Sequence, residues 1–114
     1  YDYHLRVELP ETLPEGFVCN CDKTANILIG KLIERGVRIP EDVSVVGFDH
    51  YYSDVREGMQ LTTYENDQKA IALISTNTIL KRIAGVKAAG IRFVEGNIVH
   101  GNTVKSMEGL VQNG

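Results

Sequence analysis

Positive charge is in short supply along this chain: 12 lysines and arginines stand against 15 aspartates and glutamates, a formal net charge of -3. A surface that grips a phosphate backbone needs clustered Lys and Arg to release counterions, so any contact with DNA must lie outside this segment. Long apolar runs are also missing. None approaches the roughly 18 to 20 residues of a membrane span, and the opening YDYHLRVELPETLPEG lacks the basic, apolar and small-residue zones of a secretory leader; a soluble chain with no membrane partner is expected. Cysteine occurs only twice, at Cys19 and Cys21, and both are expected to be reduced thiols, as suits a cytoplasmic setting. The three histidines, His4, His50 and His100, sit in three different segments. There is no H-x-x-x-H, no G-x-S-x-G and no G-x-x-x-x-G-K-[ST]; the Gly-Lys of IGKLI lies inside a helical pattern without a glycine-rich loop. No catalytic residue, no metal site and no cofactor are therefore expected.

What is present alternates. GFVCN, residues 16–20, is a short apolar strand behind a turn-rich lead-in in which Pro10 and Pro14 forbid regular pairing. CDKTANILIGKLIERG follows. Its Ala25, Leu28, Ile29, Leu32 and Ile33 recur at the i, i+3, i+4, i+7 spacing of one helical face, Asp22 is expected to be the N-cap, and Gly36 closes the helix. VSVVGF, residues 43–48, reads as a second strand, so strand, helix and strand form a βαβ unit with buried parallel strands. QLTTY, residues 60–64, reads as a third strand, and a second helix is expected from about Asp67 to Ala84, with a polar middle STNT. GIRFVEGNIVHGNTVK predicts two further short strands.

Two helices and about five strands are few for a parallel sheet that must be covered on both faces. With 114 residues and a first residue that is Tyr rather than Met, the chain is expected to be a piece of a longer protein.

From Phe17 to Thr63 the order of phrases, FVCNCDKTA, LIERGVRIPEDVSVVGFDH and LTTYENDQ, resembles the C-terminal part of the effector-binding domain of LacI/GalR-family transcriptional regulators, and more loosely so to about Lys105. The resemblance implies an α/β fold: a parallel-sheet βαβ subdomain of the type I periplasmic-binding-protein-like architecture, incomplete, with the N-terminal subdomain and the helix-turn-helix absent. It implies that about 16–64 and 91–105 are C-terminal subdomain, and that about 65–90 are a crossover and a helix of the N-terminal subdomain. A helix taken from its packing partners should expose apolar surface.

The same resemblance implies particular residues. Asp49, at the carboxyl end of a parallel strand, faces the crevice where such sheets take ligands, and an ionised carboxylate accepts two hydroxyl hydrogen bonds; it is also placed to cap a turn at YYSD. Cys21 stands where the family often has a ligand-binding Asn, although a thiol replaces an amide poorly. Asn66 and Gln68, in the hinge before the second helix, match positions that often touch ligand, and Gln68 in place of an aromatic makes the pocket more polar. Asp67 between them reads as a helix cap. His50, Tyr51 and Tyr52 are implied to be surface or subunit-contact residues. A symmetric homodimer is implied to use Asn26, Ile29, Ile33, Tyr51 and Tyr52, the two isoleucines lying at the margin of the apolar stripe.

The function implied is that of an effector-sensing segment of a cytoplasmic regulator, binding a small sugar or sugar derivative and acting on operator DNA only through an N-terminal domain. The alternative is an extracytoplasmic sugar-binding protein of a transport system with the same fold; the Pro-Glu-Asp lead-in RIPEDVSVVGFD favours the regulator.

Overall fold

A computed structural model describes residues 6–51, 54–88 and 90–107, with the backbone alone at 54 and 55. Strand β1 (Gly16–Val18), helix α1 (Asp22–Glu34) and strand β2 (Ser44–Val46) form the expected βαβ unit, β1 and β2 pairing in parallel with Phe17 opposite Val45. The apolar stripe explains the packing. Ala25, Leu28, Ile29 and Leu32 of α1 are buried against Val43, Val45, Leu61 and Cys19, and each large aliphatic side chain removed from water contributes about 1.5–3 kcal/mol. Gly36 ends the helix in left-handed backbone (φ +82), its N–H reaching the Ile33 carbonyl while Val37 N–H reaches that of Leu32. This is the double bond pattern of a glycine C-terminal stop.

Two expectations are corrected within this unit. Ile29 is fully buried in the chain's own core, so it has no surface to give a two-fold seam, whereas Ile33 one turn later is 42% exposed. Asp22 does not cap α1. The N-cap position belongs to Cys21, which makes no side-chain capping bond, and Asp22 opens the helix proper with its carboxyl fully buried. Oδ1 of Asp22 accepts the hydroxyl of Thr63 at 2.6 Å, and its N–H donates to the Phe48 carbonyl. Only glycine fits at position 47, because a Cβ there would collide with Oδ1 of Asp22 and with Leu61.

Beyond β2 the topology departs from the expected sheet. The segment 60–64 is not one strand: Met59–Gln60 is β4, antiparallel to β3 (Asp54–Arg56) across a turn at Glu57 and Gly58, and Thr63–Glu65 is β5. Between β4 and β5 the chain turns inward, burying Leu61, Thr62 and Thr63, and Thr62 forms a parallel bridge to Val46. The two strands expected after residue 90 are one, β6 (Asn97–Val99), which pairs antiparallel to β5. Residues 101–105 then run beside β2 without being a strand. Thr103 accepts the Val45 N–H at its carbonyl, donates its hydroxyl to the Val45 carbonyl at 2.7 Å and accepts the Thr62 N–H at 2.9 Å, so one fully buried residue does the work of a strand edge.

Helix α2 (Gln68–Ile83) meets its expected limits, with Asp67 at the N-cap accepting the Ala70 N–H. None of its residues is buried; Leu73, Ile79, Leu80 and Ile83 lie open to solvent. No helix among the described residues is long and apolar enough to cross a membrane.

Replacing Thr63 by Val keeps the shape and removes the donor to a buried carboxyl, so Thr63→Val is expected to lower stability by about 1–3 kcal/mol in urea unfolding. A midpoint that does not move would mean that the other contacts of Asp22 satisfy its carboxyl without Thr63.

Candidate functional site

Strand β2 delivers its carboxyl end into a sharp bend. Gly47 N–H reaches the Thr62 carbonyl, Phe48 stacks on Tyr64 with ring centroids 5.4 Å apart, and Asp49 N–H reaches the Tyr64 carbonyl at 2.8 Å. Asp49 and His50 then take left-handed backbone, with φ of +89 and +54, which few residues other than glycine adopt without cost. Aspartate tolerates this because its own side chain supports the turn: Oδ1 of Asp49 accepts the Tyr51 N–H at 3.2 Å. The turn-capping role expected of Asp49 is thus present, on a half-buried residue.

Opposite the bend, the hinge from Glu65 to Lys69 carries the chain from β5 into α2, with Gln68 N–H bonded to the Asn66 carbonyl at 2.9 Å. Between bend and hinge lies an open cleft of about 450 Å³, walled by residues 49–51 and 65–69. It brings together Asp49, Asn66 and Gln68, three residues from two segments held beside each other by the Asp49 N–H to Tyr64 bond, the Phe48–Tyr64 stack and the Val46–Thr62 bridge.

Cys21 does not line this wall. It sits half-buried at the start of α1, its Sγ 3.4 Å from the hydroxyl of Thr24. The parallel register of Val18 with Val46 nevertheless puts Cys21 and Asp49 three residues past paired positions, at the same end of the sheet. Of the residues implied for a dimer seam, Asn26 is half-buried, Ile33 is 42% and Tyr51 75% exposed, and Tyr52 lies outside the described residues.

His50 was expected at the surface or a subunit contact; here it forms part of the cleft wall. Its Nδ1 is buried and, among the described residues, has no hydrogen-bond partner. The pattern Gly-Phe-Asp-His marks a strand end, but the left-handed backbone at Asp49 and His50 is not legible in it. Among the described residues no group of three or more His, Cys, Asp or Glu is placed to hold a metal ion.

Burial pushes the Cys19 thiol up to about 11 from 9.0, with the nearby Cys21 and Asp22 adding to the shift. Because the folded value lies above the unfolded one, this thiol's contribution to stability is whole below pH 9.0 and is lost as pH rises toward about 11. Cys19 is expected to resist iodoacetamide in the native protein at about pH 8 and to react once the chain is unfolded in urea; peptide mass spectrometry reads both states, and rapid native labelling of Cys19 would show that its environment is open.

A family model for the periplasmic binding protein-like domain matches residues 2–104. The HTH-type transcriptional repressor PurR of Glaesserella parasuis is 32% identical over 73 residues, which is 64% of this chain and 22% of that protein. Among solved structures, a LacI transcriptional regulator from a Rhodococcus species superposes with a TM-score of 0.70 at 28% identity, over 83% of this chain and 35% of its own. A periplasmic binding protein/LacI transcriptional regulator from Alkaliphilus metalliredigens, complexed with D-xylulofuranose, does so at 0.69 and 26%, over 81% and 35%. The chain thus spans about a fifth to a third of the length of these relatives.

Proposed function

Because this chain belongs to the LacI/GalR-type family of periplasmic binding protein-like domains, we propose that it is the effector-sensing part of a transcriptional regulator and that the cleft beside Asp49 takes a small sugar or sugar derivative. The observation that carries this reading is the meeting of Asp49, Asn66 and Gln68 around one open cleft at the carboxyl end of β2. A carboxylate and two amides supply the mixed acceptors and donors that hydroxyl-bearing ligands pair with. Support comes from the sugar held by the Alkaliphilus relative. Cys21, at the same sheet end but outside the wall, is kept as a bordering contact.

Residues 16–64 and 91–105 then belong to one subdomain, and 65–90 to a crossover with a helix of another. Ligand binds the closed arrangement of the two better than the open one, and so biases a two-state equilibrium by its difference in affinity. The whole protein reads that bias as a change in dimer geometry at operator DNA, through a helix-turn-helix domain elsewhere in it. The named relatives are a transcriptional repressor and transcriptional regulators rather than enzymes, which supports a cytoplasmic, non-catalytic role without a cofactor.

In calorimetric or thermal-shift screening of the full-length protein against sugars, Asp49→Ala is expected to weaken effector binding by about 1 to 3 kcal/mol, through loss of a charge-assisted acceptor. Unchanged affinity in a folded variant removes Asp49 from the site.

The dimer seam is proposed at Asn26, Ile33 and the stretch from Tyr51, with Ile29 left to the core. Ile33→Asp combined with Tyr51→Asp is expected to shift sedimentation of the full-length protein toward monomer with circular dichroism intact; a double variant that stays dimeric places the seam elsewhere.

A further inference from the structure

At the amino end of β2, the opposite end of the sheet from the Asp49 cleft, two open hollows of about 500 and 440 Å³ adjoin along Pro40, Glu41 and Val104 and make one groove. No residue lines both this groove and the cleft. Its walls come from separate stretches of chain, and hydrogen bonds fix them. Ser44 N–H donates to the Glu15 carbonyl at 3.0 Å and Lys105 N–H to Oγ of Ser44 at 2.9 Å. The Asn102 side chain accepts the Gln60 N–H at 2.8 Å and donates to the Gly58 carbonyl at 2.9 Å. A surface so tied needs little reordering to receive a partner.

The lining is apolar within and acidic at the rim. Ile39, Pro40, Met59, Val104 and Met107 form the apolar part, and Val104 and Met107 are 41% and 56% exposed. Around them stand Glu15, Glu41 and Glu57, all exposed and without a salt bridge among the described residues. The cations beside them are already engaged. Arg38 grips Asp42 through its guanidinium at 2.9 and 3.0 Å, and its attraction to Glu41 is the weakest of its interactions. The Asp42 carboxyl is held below its ordinary range by Arg38 first and, more weakly, by Lys105. Exposed apolar area gains by being covered, and unpaired carboxylates around it select a cationic partner by charge complementarity. A nucleic acid or an anionic membrane would meet like charge.

We propose that this groove docks a short segment of another protein in which lysines or arginines flank apolar side chains. The apolar residues of that segment cover Val104 and Met107. Its cations reach Glu15, which lines the first hollow, and Glu57, which lines the second, with Glu41 between them.

The test pans phage-displayed random peptides of roughly 12 residues on the full-length protein, after depletion on its Glu15→Lys, Glu41→Lys, Glu57→Lys variant. Recovered peptides are expected to combine Lys or Arg with apolar residues. In fluorescence anisotropy they should bind wild type at least about tenfold more tightly than the charge-reversed variant, and weaken as NaCl rises from about 50 to about 500 mM. Val104→Ser with Met107→Ser, which keeps every charge, should also lose about tenfold, because the apolar floor is gone. The proposal is overturned if no peptide survives depletion, if the survivors are acidic or purely polar, or if the Val104→Ser, Met107→Ser protein binds them like wild type. It is overturned as well if sedimentation gives the charge-reversed variant a lower mass than wild type, which would make the groove a seam between copies of this chain. Should either variant lose its circular dichroism, Glu→Gln at the same three positions or Met107→Ser alone takes its place.

Discussion

The buried carboxyl of Asp22, accepting the Thr63 hydroxyl at 2.6 Å, is the contact on which the arrangement of the cleft depends. It joins the first turn of α1 to the start of β5, two elements 41 residues apart in sequence. The same residue's N–H holds the Phe48 carbonyl, and Gly47 passes so close that no side chain fits. The end of β2 is therefore fixed between α1 and β5. From that fixed end Phe48 stacks on Tyr64 and Asp49 bonds its carbonyl, which sets the bend opposite the hinge. A hydrogen bond to a carboxyl in a site from which water is excluded is worth more than a surface pair, and leaving either partner unmatched costs correspondingly more.

Much of this was legible in the residues because the signals are local. The period of Ala25, Leu28, Ile29 and Leu32, the left-handed stop at Gly36, and Asp67 before α2 each act within a turn or two of chain. The approach of Asp49 to Asn66 and Gln68 was legible only through the resemblance of whole phrases to a known family, since nothing in their spacing brings them together. Three-residue strands were the weak point. In β3, β5 and β6 a period of two has room for barely one alternation, so the break between Met59–Gln60 and Thr63–Glu65 and the antiparallel return of β6 left no pattern to read. Asp22 was misread for a related reason: an acidic residue at a helix start has a local use as a cap, and a distant hydroxyl outcompeted it. Ile29 was misplaced because helical spacing gives the centre of an apolar stripe but not its width.

The cleft lies where two kinds of packing meet. On one side is a βαβ unit with a closed core; on the other, α2 leaves the hinge with none of its residues buried. Asp49 and His50 sit on the rigid side, and Asn66 and Gln68 on the side whose helix still has apolar surface to cover. Under the proposed effector reading, a ligand bridging the two would gain contacts from the packed side and order the other, and so bias a larger rearrangement.

Thr103 carries a consequence for the order in which the molecule is made. The β1–α1–β2 unit is complete by residue 46, yet the second edge of β2 receives its N–H partner at Val45 only when residue 103 arrives, 58 positions later in the chain. On a ribosome, Thr62 can cover that edge at Val46 and Gly47 soon after it emerges, but the donor and acceptor of Val45 wait while the hinge and α2 are synthesised. An edge in that condition is a template for another strand, so the nascent chain passes through an interval of exposure that the finished protein does not have. Its length is set by translation speed and not by the stability of the fold, and slow codons between β2 and Thr103 would prolong it.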